Sequence, residues 1–255
     1  NANYAIMNYG KASIALMHLE NAIGKERFDN KMKQYFSDWQ FKHPRPDDFE
    51  AYMNDSNQHD WFFRDILNTT KTFDYAIHRV NKNQIELINK GEIPAPTQLF
   101  IQYKDQSRDT INVDGFYGKK SLNLSGEIIK AAIDPMHITL DLNQQNQYYT
   151  KSALFRKPLK YRILPGIQDP QYHYVYISPT IGANGNDGLL LGAALYNNFF
   201  TPHKVDWLVN PMMGLDSRSL VGNASARVNL YTKQRVYFQA RLNLKRHAYR
   251  YFSNV

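Results

Sequence analysis

The spacing of apolar residues changes once along this chain, near Asn68, and that change limits the folds open to it. Up to Asn68, apolar residues recur at the three-to-four-residue spacing of helices, as in Ile14, Met17 and Leu19 with Ile23. Beyond Asn68, apolar and polar residues alternate, which is typical of β-strands. The sequence therefore predicts an α+β protein, with helices first and antiparallel strands after them.

The helical region, residues 1–70, divides into several predicted pieces. The first helix is expected to stop at Gly24, because glycine is the usual residue just past a helix end. The second carries apolar residues from Phe28 to Trp39 and has to end before Pro44, since the residue preceding a proline avoids the helical conformation. A new helix is predicted from Pro46. Two short helical pieces, Phe49 to Met53 and Trp61 to Leu67, complete the region.

The middle region, residues 71–145, alternates with turn-forming residues between its apolar runs. Residues 73–80 and 84–88 are predicted to form a hairpin around the turn Asn81-Lys82-Asn83. Further strands are predicted at residues 98–103, 109–113, 128–133 and 138–142. Together they indicate a small β-sandwich, followed by a linker at residues 146–171.

The last region, residues 172–255, has the most regular alternation. In Val236 to Lys245 and in Ala224 to Tyr231, one face is apolar and the other is polar or charged. Both a soluble sandwich and an outer-membrane β-barrel use this pattern. We favour the barrel, and we expect it to be incomplete, because closed single-chain bacterial barrels need an even number of about eight or more strands. Only five are predicted, beginning near Tyr172, Leu189, Val205, Leu220 and Arg235.

Composition narrows the chemistry. The chain of 255 residues contains no cysteine, which excludes disulfides, thiolate zinc ligands and cysteine nucleophiles. Its formal net charge of +8 favours a polyanionic neighbour, either lipopolysaccharide or nucleic acid. We expect lipopolysaccharide and no nucleic acid, because the basic residues near the end alternate with apolar ones. Since the sequence begins at Asn1 without a methionine, we also expect a processed or truncated product.

Several motifs in the first 145 residues resemble one enzyme family. Tyr9-Gly10-Lys11-Ala12 heads an apolar helix, and Asp60 to Arg64 follows the proline-rich run Phe41 to Phe49. Ile133-Asp134-Pro135 and Asp141-Leu142-Asn143 come later. This order resembles the part of the gluzincin zinc aminopeptidases, typified by aminopeptidase N, that follows the metal site. Ala12 stands where that family usually has a glycine.

The resemblance implies a role for Tyr9. In the family the tyrosine hydroxyl donates a hydrogen bond to the oxyanion formed when water attacks the scissile carbonyl. Such a hydrogen bond lowers the activation free energy by about 3–4 kcal/mol. Taken alone, a tyrosine in this pattern is more often a packed ring with its hydroxyl in water. The family also implies zinc, held by an H-E-x-x-H helix and a later glutamate. Neither is present, and no two histidines are spaced i, i+4.

Taken together, these features predict a fragment of a zinc-dependent aminopeptidase-like protein that hydrolyses N-terminal residues of peptides. The expected partners are the peptide substrate, the missing N-terminal catalytic half with the zinc ligands, and the outer membrane or its lipopolysaccharide. The soluble part is expected in the periplasm or at the cell surface, and this chain alone is expected to be inactive. The alternative is a non-enzymatic outer-membrane binding or assembly component with a peptidase-like fold.

Other residues have simpler expected roles. His18 and Glu20 point to different helix faces, so they are expected to be surface or helix-capping groups and not a metal-binding pair. Trp61, Phe62 and Phe63 are expected in the core, while Arg64 is a candidate to pair with a carboxylate of the missing half. Asp134-Pro135 is expected to form a turn.

Overall fold

The computed structural model describes residues 6–151, 156–164, 166, 168–198, 203–231 and 237–246. Strands outnumber helices among these residues, and they form three sheets. The chain divides into two units, Asn1–Arg156 and Lys157–Val255. All the described α-helices lie in the first unit, as the change of period predicts.

The helices begin and end near the expected residues. A π-helical segment, Ile6–Lys11, runs into α1 (Ala12–Ile23), and α2 (Lys25–Trp39) and α3 (Pro46–Met53) follow. Gly24 separates α1 from α2 with φ 90°, and its N–H donates to the Glu20 carbonyl at 2.8 Å. The Asp48 carboxylate accepts from the Arg45 N–H at 2.7 Å and so caps the start of α3. A 3₁₀ turn (Asp55–Asn57) and a π-helical segment (Trp61–Ile66) follow, and a second 3₁₀ turn (Gln144–Asn146) comes just before the short strand that begins at Tyr148.

The predicted apolar stripes on the first two helices are partly wrong. The buried residues of α1 are Ala15, His18 and Leu19, whereas Met17 is exposed. Positions 15, 18 and 19 have the i, i+3, i+4 spacing of a core face. This face was not predicted because alanine is small and histidine is polar. No residue of α2 is buried, and Phe36 is 68% exposed. Within the described residues, no helix is long and apolar enough to cross a membrane.

The first unit contains two antiparallel sheets. The order β1-β2-β5 forms one, and β4-β3-β6-β7 forms the other. The predicted hairpin is present as β1 and β2, with Lys82 at φ 42° in its turn. The strands are β1 (Tyr75–Asn81), β2 (Gln84–Asn89), β3 (Thr97–Tyr103), β4 (Arg108–Val113), β5 (Gly118–Asn123), β6 (Ile128–Ile133) and β7 (Tyr148–Thr150).

One hydrophobic core joins the two sheets to the helices. It contains Leu87 of one sheet, Leu99 of the other and Leu19 of α1, all fully buried. A fully buried aliphatic or aromatic side chain stabilises a fold by about 1.5–3 kcal/mol. Tyr75 is also in this core, and its hydroxyl donates to the Ala95 carbonyl at 3.0 Å. Burial raises the pKa of Tyr75 to about 12, so this donor stays protonated.

The expected strand at residues 138–142 is absent. Asp134 has φ 45°, and its buried carboxylate accepts from the Ile138 N–H at 3.0 Å and the Thr139 N–H at 2.8 Å. These contacts hold the segment in a turn, which confirms the turn expected at Asp134-Pro135. The predicted strand makes only a single parallel bridge, between Phe73 and Asp141.

The second unit contains one six-stranded sheet. Its strands are β8 (Leu159–Arg162), β9 (His173–Asn184), β10 (Gly188–Tyr196), β11 (Val205–Gly214), β12 (Ser219–Tyr231) and β13 (Tyr237–Arg246). They lie in chain order, antiparallel except for the parallel pair β8–β9, and the described sheet is open, with β8 and β13 at its edges. The five predicted strands are present, although Arg235 lies outside the described residues. The expected linker, 146–171, contains β7 and β8.

Candidate functional site

Tyr9 lies at the surface of the helical region. It belongs to the π-helical segment before α1, and it is 67% exposed. Its backbone carbonyl accepts from the Ser13 hydroxyl, which ties the segment to the first turn of α1. Lys11 and Ala12, the other residues of the motif, are exposed as well. The phenol hydroxyl is therefore accessible to a bound molecule.

The residues of this chain do not fit a zinc site by themselves. Among the residues that the structure describes, no group of three or more His, Asp or Glu side chains is placed to hold a metal ion. A catalytic zinc needs about three protein ligands and one open position. No chemical step through zinc is therefore derived from these side chains.

His18 is buried, so the expectation of a surface position is wrong. It is 1% exposed, and its Nε2 lies 2.7 Å from the Pro96 carbonyl oxygen. Its ring packs against Trp61 at 4.5 Å and Phe73 at 5.5 Å between centroids. Burial lowers the pKa of His18, because the charged imidazolium loses its hydration there. These contacts identify a core histidine.

The remaining expected residues are in the first unit. Trp61, Phe62 and Phe63 are buried, which confirms their role in the core. Arg64 is exposed and pairs with Asp60 at 3.2 Å, four residues earlier. Arg64 thus has a local partner and does not depend on a carboxylate from elsewhere.

A large apolar surface lies on one face of the second unit's sheet. Strands β9 to β13 pair with their neighbours without a shift in register, and directly paired residues share a face of the sheet. One face of these five strands carries only aliphatic and aromatic side chains, methionine, proline and glycine, apart from His173, the first residue of β9, and Arg246, the last residue of β13. Its members are Val175, Ile177, Pro179, Ile181, Ala183, Leu189, Leu191, Ala193, Leu195, Val205, Trp207, Val209, Pro211, Met213, Leu220, Gly222, Ala224, Ala226, Val228, Leu230, Phe238, Ala240, Leu242 and Leu244.

This apolar face is exposed. Ile181 is 77% exposed and Leu242 is 61% exposed, and the same holds along β10, β11 and β12. Soluble monomeric proteins rarely expose a contiguous apolar patch of more than a few hundred square ångströms. The face therefore requires a cover that the described residues do not provide.

The opposite face of the sheet is mainly polar, but it also carries a small buried cluster of Leu190, Met212 and Val221. It carries tyrosine, serine, threonine and asparagine side chains, and its charged members on β9 to β13 are Asp206, Arg227, Arg241 and Lys245. At one end, the Asp206 carboxylate accepts from the Asn198 amide at 3.0 Å, the His203 N–H at 3.0 Å and the Asn229 amide at 2.8 Å. This network fixes the polar end of β11 and β12.

The connection before β9 folds over part of the polar face. The Gln168 amide donates to the Tyr176 hydroxyl at 3.2 Å, and the Asp169 N–H donates to the Tyr174 hydroxyl at 3.1 Å. Tyr174 and Tyr176 are buried as a result. This contact was not predicted from the sequence, since the segment was expected to be a linker.

Neither a family model nor a curated protein matches this chain.

Proposed function

We propose that this chain is the membrane-held part of a zinc aminopeptidase-like protein, and that the apolar face of β9 to β13 lies against lipid. The observation that carries the proposal is the uninterrupted apolar face, exposed across five strands. The outer membrane is the proposed location, because strands rather than helices carry this surface.

The energetics support lipid as the cover. A lysine or arginine on the lipid face of a membrane strand costs about 2–4 kcal/mol at the bilayer centre and much less near the interfaces. The described positions of the face include no lysine and no acidic side chain. Its two ionisable residues are His173, the first residue of β9, and Arg246, the last residue of β13, which pairs with Gly222. A strand needs about 9–11 residues to cross a bilayer, and β10, with 9 residues, and β11, with 10, have that length.

A soluble sandwich is the competing explanation for the same face. A second layer of protein would then cover the apolar side chains, and the polar face would lie in bulk water. We propose that this sheet is part of a β-barrel, in which its two open edges are paired.

Tyr9 supports the peptidase part of the proposal. A neutral phenol that is free to donate suits an oxyanion developing on an attacked peptide carbonyl. The zinc ligands then come from polypeptide outside this sequence, and the substrate is a peptide with a free N-terminus. This chain alone is inactive under the proposal.

A non-enzymatic binding or assembly component is the second candidate. It uses the same exposed apolar face and needs no zinc ligands from other polypeptide. It predicts the same sheet in the membrane but no hydrolysis by any longer form of the protein.

Two matched substitutions test the membrane placement. Leu242 and Asn243 are neighbours on β13 that lie on opposite faces of the sheet. We expect Leu242→Lys to lower incorporation into lipid vesicles strongly, because it places a charge in hydrocarbon, and Asn243→Lys to leave it nearly unchanged. Flotation of vesicles with the full chain measures both. Equal incorporation of the two variants would contradict the membrane placement and favour a soluble sandwich.

A further inference from the structure

Two arginines lie directly opposite each other on the polar face of the sheet. The register of β12 and β13 pairs Arg227 with Arg241, and four residues along β13 it pairs Lys245 with Asn223. Directly paired residues in antiparallel strands share a face, with Cβ atoms about 4.5–5.5 Å apart. Like charges at that separation destabilise a sheet unless something neutralises them.

The described residues neutralise this pair only in part, since one carboxylate faces two guanidinium groups. Across the part of the chain that the structure describes, no ion pair involves Arg227, Arg241 or Lys245. The nearest candidate in register is Asp206, directly opposite Arg227 on β11. Both oxygens of Asp206 already accept hydrogen bonds from Asn198, His203 and Asn229.

Arg227 also has an unused donor. Its Nε atom is buried and has no hydrogen-bond partner. A buried donor without an acceptor is unfavourable, and a guanidinium group presents its N–H groups as a planar fork. A negatively charged acceptor beside Arg227 would both satisfy this donor and balance the charge of the guanidinium group.

We propose that Arg227 and Arg241 form a binding site for an oxyanion, a phosphate or carboxylate group of a water-soluble ligand. The flanking pair Ser225 and Asn243 adds a hydroxyl and an amide on the same face. Guanidinium groups bind such anions through two parallel N–H···O bonds, which explains why arginine stands at both positions.

Lys245 indicates the size of the ligand. It lies four residues from Arg241 along β13, about 13 Å at the usual rise of a strand. A ligand with two anionic groups can reach both positions, whereas a single phosphate occupies the arginine pair. Since the arginines lie opposite the apolar face, the ligand is a solute and not a lipid headgroup. The site depends on the strand register alone and stands whether lipid or protein covers the apolar face.

Calorimetric titration with inorganic phosphate tests the site. The full chain in a neutral detergent is compared with Arg227→Gln/Arg241→Gln and with Arg218→Gln, an exposed arginine in the turn between β11 and β12. We expect the double variant to bind phosphate at least about tenfold more weakly, because both charge-assisted contacts to the anion are lost. The Arg218 variant should bind like the unmodified chain.

A second variant guards against loss of folding. Arg241 is exposed on the edge strand, so Arg241→Gln alone should keep the sheet intact and still weaken phosphate binding, while circular dichroism checks its strand content. A parallel titration with anionic-lipid vesicles should show no dependence on either arginine. Phosphate affinity that is absent, or unchanged in both variants, would overturn the proposal, as would loss of vesicle binding in place of phosphate binding.

Discussion

At the scale of single residues, His18 shows how surroundings alter chemistry. The imidazole lies between Trp61 and Phe73, with the Pro96 carbonyl as its polar partner. Burial lowers the pKa of His18 by more than the hydrogen bond to the Pro96 carbonyl and the charge of Asp134 raise it. His18 therefore favours the neutral form in the folded state.

This gives a prediction for stability against pH. The folded pKa of His18 lies below its ordinary value of 6.5, so its contribution is fully present above that pH and is lost as the pH falls further. We expect His18→Gln to make the decrease in unfolding free energy between pH 8 and pH 5 shallower. Urea unfolding at several pH values measures it, with the exposed His43→Gln as control.

Other titrating groups do not remove this difference. His59 is shifted in the same direction by burial, and it titrates equally in both proteins. Asp141 has its pKa raised to about 6 by burial, so its contribution is lost as the pH rises through that value, in the opposite sense. Parallel curves for His18→Gln and the unmodified chain would show that His18 is not the buried group described here.

Tyr9 allows a residue-scale test of the peptidase proposal. In a longer protein that includes the zinc ligands, we expect Tyr9→Phe to lower kcat about 10²–10³-fold with little change in KM, because the lost hydrogen bond forms only as charge develops. Tyr117→Phe, at 66% exposure, is the matched control. Hydrolysis of an aminoacyl amide measures both, and equal kcat values for the two variants would rule out the oxyanion role.

At the scale of elements, strands with clean alternation could be predicted and irregular ones could not. The five long strands of the second unit could be predicted because apolar residues occupy every second position in each of them. Strand β5, with the sequence Gly118–Asn123, was missed because its lysines and asparagine hide the alternation. Residues 138–142 alternate equally well, yet the Asp134 carboxylate takes their N–H groups and prevents a strand.

Pro211 adds a local break that alternation does not reveal. The ladder between β10 and β11 has no pair at Ala193 and Pro211, although the pairs on both sides keep one register. Proline lacks the N–H that a central strand needs. A Cβ on Gly192 would lie 2.2 Å from the Pro211 carbonyl oxygen, so glycine is required where the backbones approach.

The candidate sites were predictable to different degrees. Alternation indicated the apolar face, since face membership follows from residue parity within a strand. The arginine pair could not be predicted, because it depends on the register between two strands. Tyr9 came from a resemblance, and its exposure was not predictable from spacing.

At the scale of the whole molecule, the two units differ in whether they bury their own apolar side chains. The first unit, Asn1–Arg156, buries its own core between helices and two sheets. The second, Lys157–Val255, leaves the apolar face of its sheet exposed. Under the proposed function, lipid covers this face of the second unit, while the first unit needs no such cover.

Labelling of single cysteines tests the membrane placement most directly, because the chain contains no cysteine of its own. Cysteines at Leu191, Val209 and Leu242 on the apolar face, and at Thr180, Asn210 and Asn243 on the polar face, carry a polarity-sensitive fluorophore in vesicles. We predict that quenchers attached to lipid chains reach the first three and not the last three, with the pattern alternating along each strand. Quenching by a water-soluble agent alone, at all six positions, would contradict the account.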